Sequence, residues 1–265
     1  MVLAIDMGNT NIVIGCIEND SIVFEERLCT DHSKTELEYA IGIKTVLELY
    51  NVDVNKIDGA IISSVVPPLT MIIREAVKKT TGKTAMIVAP GMKTGLNILM
   101  DNPKGLGADL IVDSVAGIQE YGYPLIIIDM GTATTVSVID KDSNYIGGMI
   151  IPGLKVSLES LVNRTSQLPR IGLDAPEKVI GKNTVDCMKS GILMGNASMI
   201  DGLIDRINDE LGYSSKVVAT GGLAKTVIPL CKNEVIVDDG LLLKGLSILY
   251  NKNIDNNKVK NPNLP

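Results

Sequence analysis

Residues 2–18, VLAIDMGNTNIVIGCIE, and residues 125–139, LIIIDMGTATTVSVI, carry the same message twice. In each, an apolar run ends in an aspartate, a glycine turn of small residues follows, and a second apolar run returns. Further on, SIVFEERL at 21–28 follows the turn END, and YIGGMII at 145–151 follows DKDSN. Both halves therefore read strand, turn, strand, turn, strand. From Asp6 to Asp129 is 129 − 6 = 123 residues, close to half of the 265-residue chain. Repetition at that spacing indicates a duplicated fold unit.

Outward from each meander the pattern turns helical. TELEYAIGIKTVLELY at 35–50 places Leu37, Ile41, Val46 and Leu49 near one helical face. KIDGAIISSVVP reads as a buried strand, and PPLTMIIREAVKKTTG as a helix that Pro67 and Pro68 start and Gly82 stops. TAMIVAP is a further buried strand. The second half repeats this rhythm with VSLESLVNRTSQL, the long run from Asn183 to Gly212, KVVATGG, EVIVD at 234–238 and GLLLKGLSILY. The expected fold is α/β, with two domains of mixed sheet and a cleft between them, at 1–115 and 116–250. Residues 251–265, NKNIDNNKVKNPNLP, lack periodicity and are expected to form a flexible tail.

Composition narrows the function. With one Phe, seven Tyr and no Trp, the cores must be aliphatic, which suits buried parallel strands and gives no stacking platform for single-stranded nucleic acid. A formal charge of −6 points away from nucleic acid as well. Cys16, Cys29, Cys187 and Cys231 have no CxxC spacing, so reduced thiols are the default. No apolar run reaches the ~18 residues of a membrane span. A soluble, cytoplasmic protein with no membrane partner is expected. The one histidine, His32, lies in the polar run TDHSKTE and reads as a solvated loop residue, so proton transfer falls to a carboxylate.

An aspartate at a strand end followed by glycine and small residues exposes backbone N–H groups that can wrap phosphate oxygens, and the carboxylate can hold a metal or its water. Either turn alone is equally an ordinary hairpin. The pair, at matched positions, suggests two jaws on one polyphosphate. The third glycine turn, VVATGGLA at 217–224, either meets a need for positive φ or lets backbone approach a flat ligand. Asp109, after KGLG and before an apolar run, could cap a helix or act as a base. The stretch ILMGNASMIDGLI at 192–204 could form an interface or pack in a core.

The combination of DxGxT, a second DxGT and TGG resembles the superfamily of acetate and sugar kinases, heat-shock ATPases and actin. In detail it is similar to the type III pantothenate kinases, through DMGNTNIVIG at 6–15, TGLNI at 94–98, GAD at 107–109, IDMGTATTV at 128–136, GGMIIPG at 147–153, LP at 168–169, GKNT at 181–184, TGGLA at 220–224 and LLLKGL at 241–246. These motifs span nearly the whole chain in order. The resemblance implies two ribonuclease H-like (actin-like ATPase) domains that transfer phosphate from ATP to pantothenate, the first step toward coenzyme A. It implies that Asp6, Met7, Gly8, Asn9, Thr10, Asn11, Ile12 and Val13 contact ATP, with Thr132 and the adenosine loop at Gly221 and Gly222. Asp109 would be the proton acceptor within a substrate site formed by Met100, Gly107, Ala108, Asp109 and Leu110. Thr184 would reach that site from the partner in a homodimer. Asp129 would bind a monovalent cation, K⁺ or NH₄⁺, and Mg²⁺ would accompany ATP.

Two positions depart from that pattern. The family usually has GADR, where this chain has Leu110, and an aromatic where it has Met100. Loss of arginine removes a fixed charge that would suit the pantothenate carboxylate; Lys104, Arg164 or Arg170 could replace it. A second reading follows, in which a nucleotide-binding relative acts as a regulator or takes another substrate.

Overall fold

The computed structural model describes residues 1–260. Among the described residues the chain forms two compact units, one of residues 1–96, 101–116 and 240–260, the other of 97–100 and 117–239.

In the first unit, β1 (Val2–Met7), β2 (Asn11–Glu18) and β3 (Ser21–Cys29) form the antiparallel meander, and β4 (Gly59–Ser64) and β5 (Met86–Ile87) add to β1 in parallel, giving the order β3-β2-β1-β4-β5. Along β1 the side chains alternate. Leu3, Ile5 and Met7 enter a core with α1 (Glu36–Leu49) and α2 (Pro67–Thr81), whereas Val2 and Ala4 enter a second core on the opposite face. The latter face is covered by Val112 and Val115 of α3 (Ala108–Tyr121) and by Leu243, Leu246 and Leu249 of α7 (Leu241–Lys260). Each fully buried aliphatic side chain contributes about 1.5–3 kcal/mol, so both layers are needed. A Cβ on Gly15 would meet the Leu243 side chain at 2.5 Å, so glycine there lets α7 lie directly on the sheet.

Helix α1 opens with a capping box, in which Thr35 accepts from the Glu38 N–H and Glu38 accepts from the Thr35 N–H at 2.8 Å. Such a cap is worth about 1 kcal/mol. Its buried face is Tyr39, Ala40, Ile43, Val46 and Leu47, while Leu37, Ile41 and Leu49 are more than half exposed. The expected face is thus corrected. ELEYAIGIKTVLEL has apolar residues on nearly every side, and packing against α2 selects among them.

In the second unit, β7 (Leu125–Met130), β8 (Ala133–Ile139), β9 (Asn144–Pro152), α4 (Leu154–Asn163), α5 (Thr184–Leu211), β10 (Lys216–Thr220) and β11 (Ile236–Val237) repeat the plan in the order β11-β10-β7-β8-β9. The short β6 (Asn97–Ile98) extends the β9 edge in parallel. Antiparallel and parallel pairs fall in the same places as in the first sheet. Even the burial sequence of β1 and β7 is identical, with only the aspartate partly exposed. The duplication inferred from the two DMG stretches is present at the level of strand order and register.

The expected boundaries move. Because α7 packs on β1 and β4, residues from 240 onward join the first unit, and residues 97–100 join the second. Residues 251–260 continue α7 where a flexible tail is expected; 261–265 lie outside the described residues. Core packing is the outcome for the 192–204 stretch on one side, since Leu193, Ala197, Ile200 and Ile204 are buried. No helix among the described residues is long and apolar enough to cross a membrane.

Candidate active site

In the first unit, Asp6 is the next-to-last residue of β1 and stands opposite Val13, and the turn beyond is closed by Gly8 N–H donating to Asn11 O at 3.0 Å. Gly8 is half-buried, and Asn9, Thr10 and Asn11 are exposed at the tip, while Met7 and Ile12 are buried beneath it. Thr30 braces the turn. Its hydroxyl donates to Gly8 O at 2.7 Å and its N–H to Thr10 O at 3.0 Å. A backbone held this way presents its remaining amides without reorganisation. Nothing in the sequence pattern marked Thr30.

Asp109 is the second residue of α3, so it is not the helix cap. Its carboxylate folds back over Gly107, where an added Cβ would stand 2.5 Å from Oδ1, and it accepts from the Leu110 N–H at 2.8 Å. This explains the glycine of GAD: only glycine leaves room for the carboxylate. Burial is the leading influence on that carboxyl and raises its pKa above the ordinary aspartate value; hydrogen bonds from Leu110 and its own N–H pull the other way. Raised proton affinity is what a general base needs to take a proton from an alcohol. Val112 and Val115, one and two turns on, pack on the sheet face that Asp6 shares by alternation with Val2 and Ala4. Gly107, Ala108 and Leu110 are half-buried beside Asp109.

In the second unit, Asp129 is the next-to-last residue of β7, and Gly131 N–H donates to Ala133 O at 3.0 Å. This turn is one residue shorter than the first, so the two are alike in position rather than in shape. Parallel pairing sets Thr220 beside Asp129, and the next residue, Gly221, lies directly on the Asp129 carboxylate with φ of +88°. The positive φ expected of the TGG turn is met at Gly221, and the close approach seen there is to the Asp129 carboxylate. Gly222 is exposed at its tip. Thr132 is exposed; its carbonyl accepts from Gly153 N–H at 3.2 Å. A Cβ on Gly153 would stand 2.7 Å from Gly131 O, so that glycine lets α4 begin against the turn. Within the second unit the structure brings Asp129, Thr132 and the 220–222 turn together.

Thr184 stands elsewhere on that unit. It is the first residue of α5, exposed, capped by Asn183, whose side chain accepts from Asp186 N–H at 2.9 Å. With Leu161, Leu168 and Cys187 it lines an open pocket of about 550 Å³. Met100 is half-buried just beyond β6. Lys104, Arg164, Arg170 and His32 are exposed. Among the described residues no cluster of three or more His, Cys, Asp or Glu could hold a metal by itself.

Among solved structures, the fold is similar to that of a Baf family transcriptional activator from Campylobacter jejuni, at 20% identity with a TM-score of 0.56, covering 99% of this chain and 100% of that one. It is similar also to the activator of 2-hydroxyisocaproyl-CoA dehydratase from Clostridium difficile, solved with bound ADPNP, at 14% identity and a TM-score of 0.55, covering 100% and 98%. Twice-repeated β3-β2-β1-β4-β5 sheets, each with an Asp–Gly turn, define a protein of the actin-like ATPase fold. Sequence relatives are more specific. The chain is 45% identical over 254 residues to a type III pantothenate kinase from Halalkalibacterium halodurans, covering 96% of this chain and 100% of the relative. It is 46% identical over 255 residues to one from a Geobacillus species, covering 96% and 99%. The family model for type III pantothenate kinase matches residues 2–206. This chain belongs to the type III pantothenate kinase family.

Proposed function

We propose that this protein transfers the terminal phosphoryl group of ATP to the primary hydroxyl of pantothenate, the first committed reaction of coenzyme A synthesis, in the cytoplasm. The observation that carries the mechanism is Asp109, whose carboxylate is seated over Gly107 in surroundings that raise its affinity for a proton. An alcohol is a poor nucleophile. Asp109 accepts its proton as the oxygen bonds to phosphorus and the bond to the leaving ADP oxygen lengthens. Backbone amides of the Asp6–Val13 turn, Thr132 and the Gly221–Gly222 turn hold the nucleotide. Mg²⁺ bound with ATP would neutralise charge on the phosphates, with Asp6 and the phosphates as ligands. Around Asp129, Gly131 and Gly221 leave space free of side chains against the carboxylate. That cradle fits K⁺ or NH₄⁺, shared between Asp129 and oxygens of the ligand.

Turnover of pantothenate by the purified protein with ATP, Mg²⁺ and KCl tests this reading, and absence of turnover with intact ATP binding would favour the regulator. Relatives at 45% identity named as kinases support the first reading over the second.

Leu110→Arg should lower KM for pantothenate about tenfold. Leu110 is half-buried next to Asp109, and a charged hydrogen bond to the substrate carboxylate is worth about 1.5–3 kcal/mol. An unchanged KM would put the carboxylate beyond reach of this position.

A homodimer is supported by α5. Gly191, Gly195 and Gly202 have open space where a Cβ would be, opposite the buried Leu193 and Ala197 face. Each glycine costs a helix interior about 1 kcal/mol relative to alanine, and no packing within this chain requires one. Close approach of a second copy would. Gly195→Leu should therefore convert the dimer to monomer in light scattering, and an unaltered mass would locate the interface elsewhere.

A further inference from the structure

Strand β4 ends Ala60, Ile61, Ile62, Ser63, Ser64, and Ser63 stands in parallel register with Asp6. Side-by-side residues of paired strands project to the same face. One pleat back on each strand, Ala4 and Ile61 are in register and enter the same apolar cluster, so the Ser63 and Asp6 side chains lie next to each other on that face. The second unit repeats the arrangement, since Thr220 stands in parallel register with Asp129 at the end of β10. Each aspartate turn thus has a β-hydroxyl residue beside it on the neighbouring parallel strand, after a run of wholly apolar residues.

Packing does not account for the hydroxyl at Ser63. Its relative exposure is 0%, and its Oγ has no hydrogen-bond partner. Burying a hydroxyl in that state is unfavourable, and alanine, common in such strands, would avoid the loss. Serine Oγ can occupy three staggered positions about χ1, and its proton rotates freely. A rotation toward the neighbouring strand satisfies it with a carboxylate oxygen.

We propose that Ser63 is a positioning residue for Asp6: with nucleotide bound, its hydroxyl donates to the Asp6 carboxylate and fixes the orientation of that group. The proposal rests on the reading of the Asp6 turn as part of the nucleotide site. Ser63 acts through Asp6 and touches neither substrate. Thr220 would do the same for Asp129.

The test uses the full-length protein and the Mg²⁺ complex of a non-hydrolysable ATP analogue, titrated calorimetrically, beside steady-state kinetics. Ser63→Ala should weaken analogue binding and raise KM for ATP about tenfold, while KM for pantothenate stays within twofold. Ser63→Thr keeps the hydroxyl, copies the Thr220 arrangement, and should stay within threefold of wild type. Ser63→Cys, which replaces the hydroxyl by a larger and only weakly donating thiol, should follow alanine, and it serves if the alanine variant melts below the assay temperature. Alanine and cysteine variants with wild-type analogue affinity and KM for ATP would overturn the proposal, as would a threonine variant as weak as alanine. Failure of the wild type to bind the analogue would instead remove the nucleotide reading itself, and this one with it.

Discussion

Asp109→Asn should lower kcat by roughly 10²–10⁴-fold, the usual contribution of a positioned base, while the variant melts at a higher temperature than wild type at pH 7. The two effects share one cause. Burial raises the Asp109 pKa, so the folded protein holds a proton there more tightly than the unfolded chain does. For a carboxylate of that kind, stability falls as pH rises from the unfolded value, about 3.9, through the raised folded value. Above it the full cost of the buried charge is present, and asparagine removes it without changing shape. The melting advantage of the variant should therefore vanish below about pH 4. In wild type, kcat should decline on the acid side with an apparent pKa above the usual aspartate range. A variant that loses activity without gaining stability would mean that the carboxylate is held by attraction, not merely tolerated.

Gly221→Ala should be among the most damaging single-methyl additions in the chain. Its φ of +88° costs an L-residue about 1–2 kcal/mol. Its Cβ would also overlap Asp129 Oδ1 and stand 2.7 Å from Met130 N, and such overpacking adds about 1–3 kcal/mol. Together these predict a melting point lower by roughly 5–15 °C and a loss of ATP affinity of tenfold or more as Asp129 is displaced. Gly82→Ala is the matched control. It has φ of +70° at the end of α2 but open space around it, so it should carry only the backbone cost and leave KM for ATP unchanged. Similar losses in both variants would mean that contact with Asp129 is irrelevant and only φ matters.

What could be read in advance, and what could not, divides by range. The two meanders were legible because an aspartate turn between alternating apolar runs is a local pattern, and its repetition told of the second copy. The stop of α2 at Gly82 was local too. The exposed side of α1 was not, because Leu37, Ile41 and Leu49 are as apolar as the residues that pack. Residues 97–98 read as part of a motif; that they pair with 144–145 depends on a contact spanning nearly fifty residues, and no periodicity records it. At the candidate site, the glycines and aspartates announced themselves by type. The residues that brace them did not: Thr30 and Ser63 are ordinary in a strand sequence, and only the register of neighbouring strands gives them a role.

The membership of α7 in the first unit bears on how the polypeptide leaves the ribosome. The face of the first sheet that holds Val2, Ala4 and Ile61 is sealed in part by residues 243–250, which are synthesised long after β1 and β4. At about 5–20 residues per second, the first unit waits several seconds or more with an aliphatic surface uncovered. Its completion is therefore vectorially delayed until α7 has emerged.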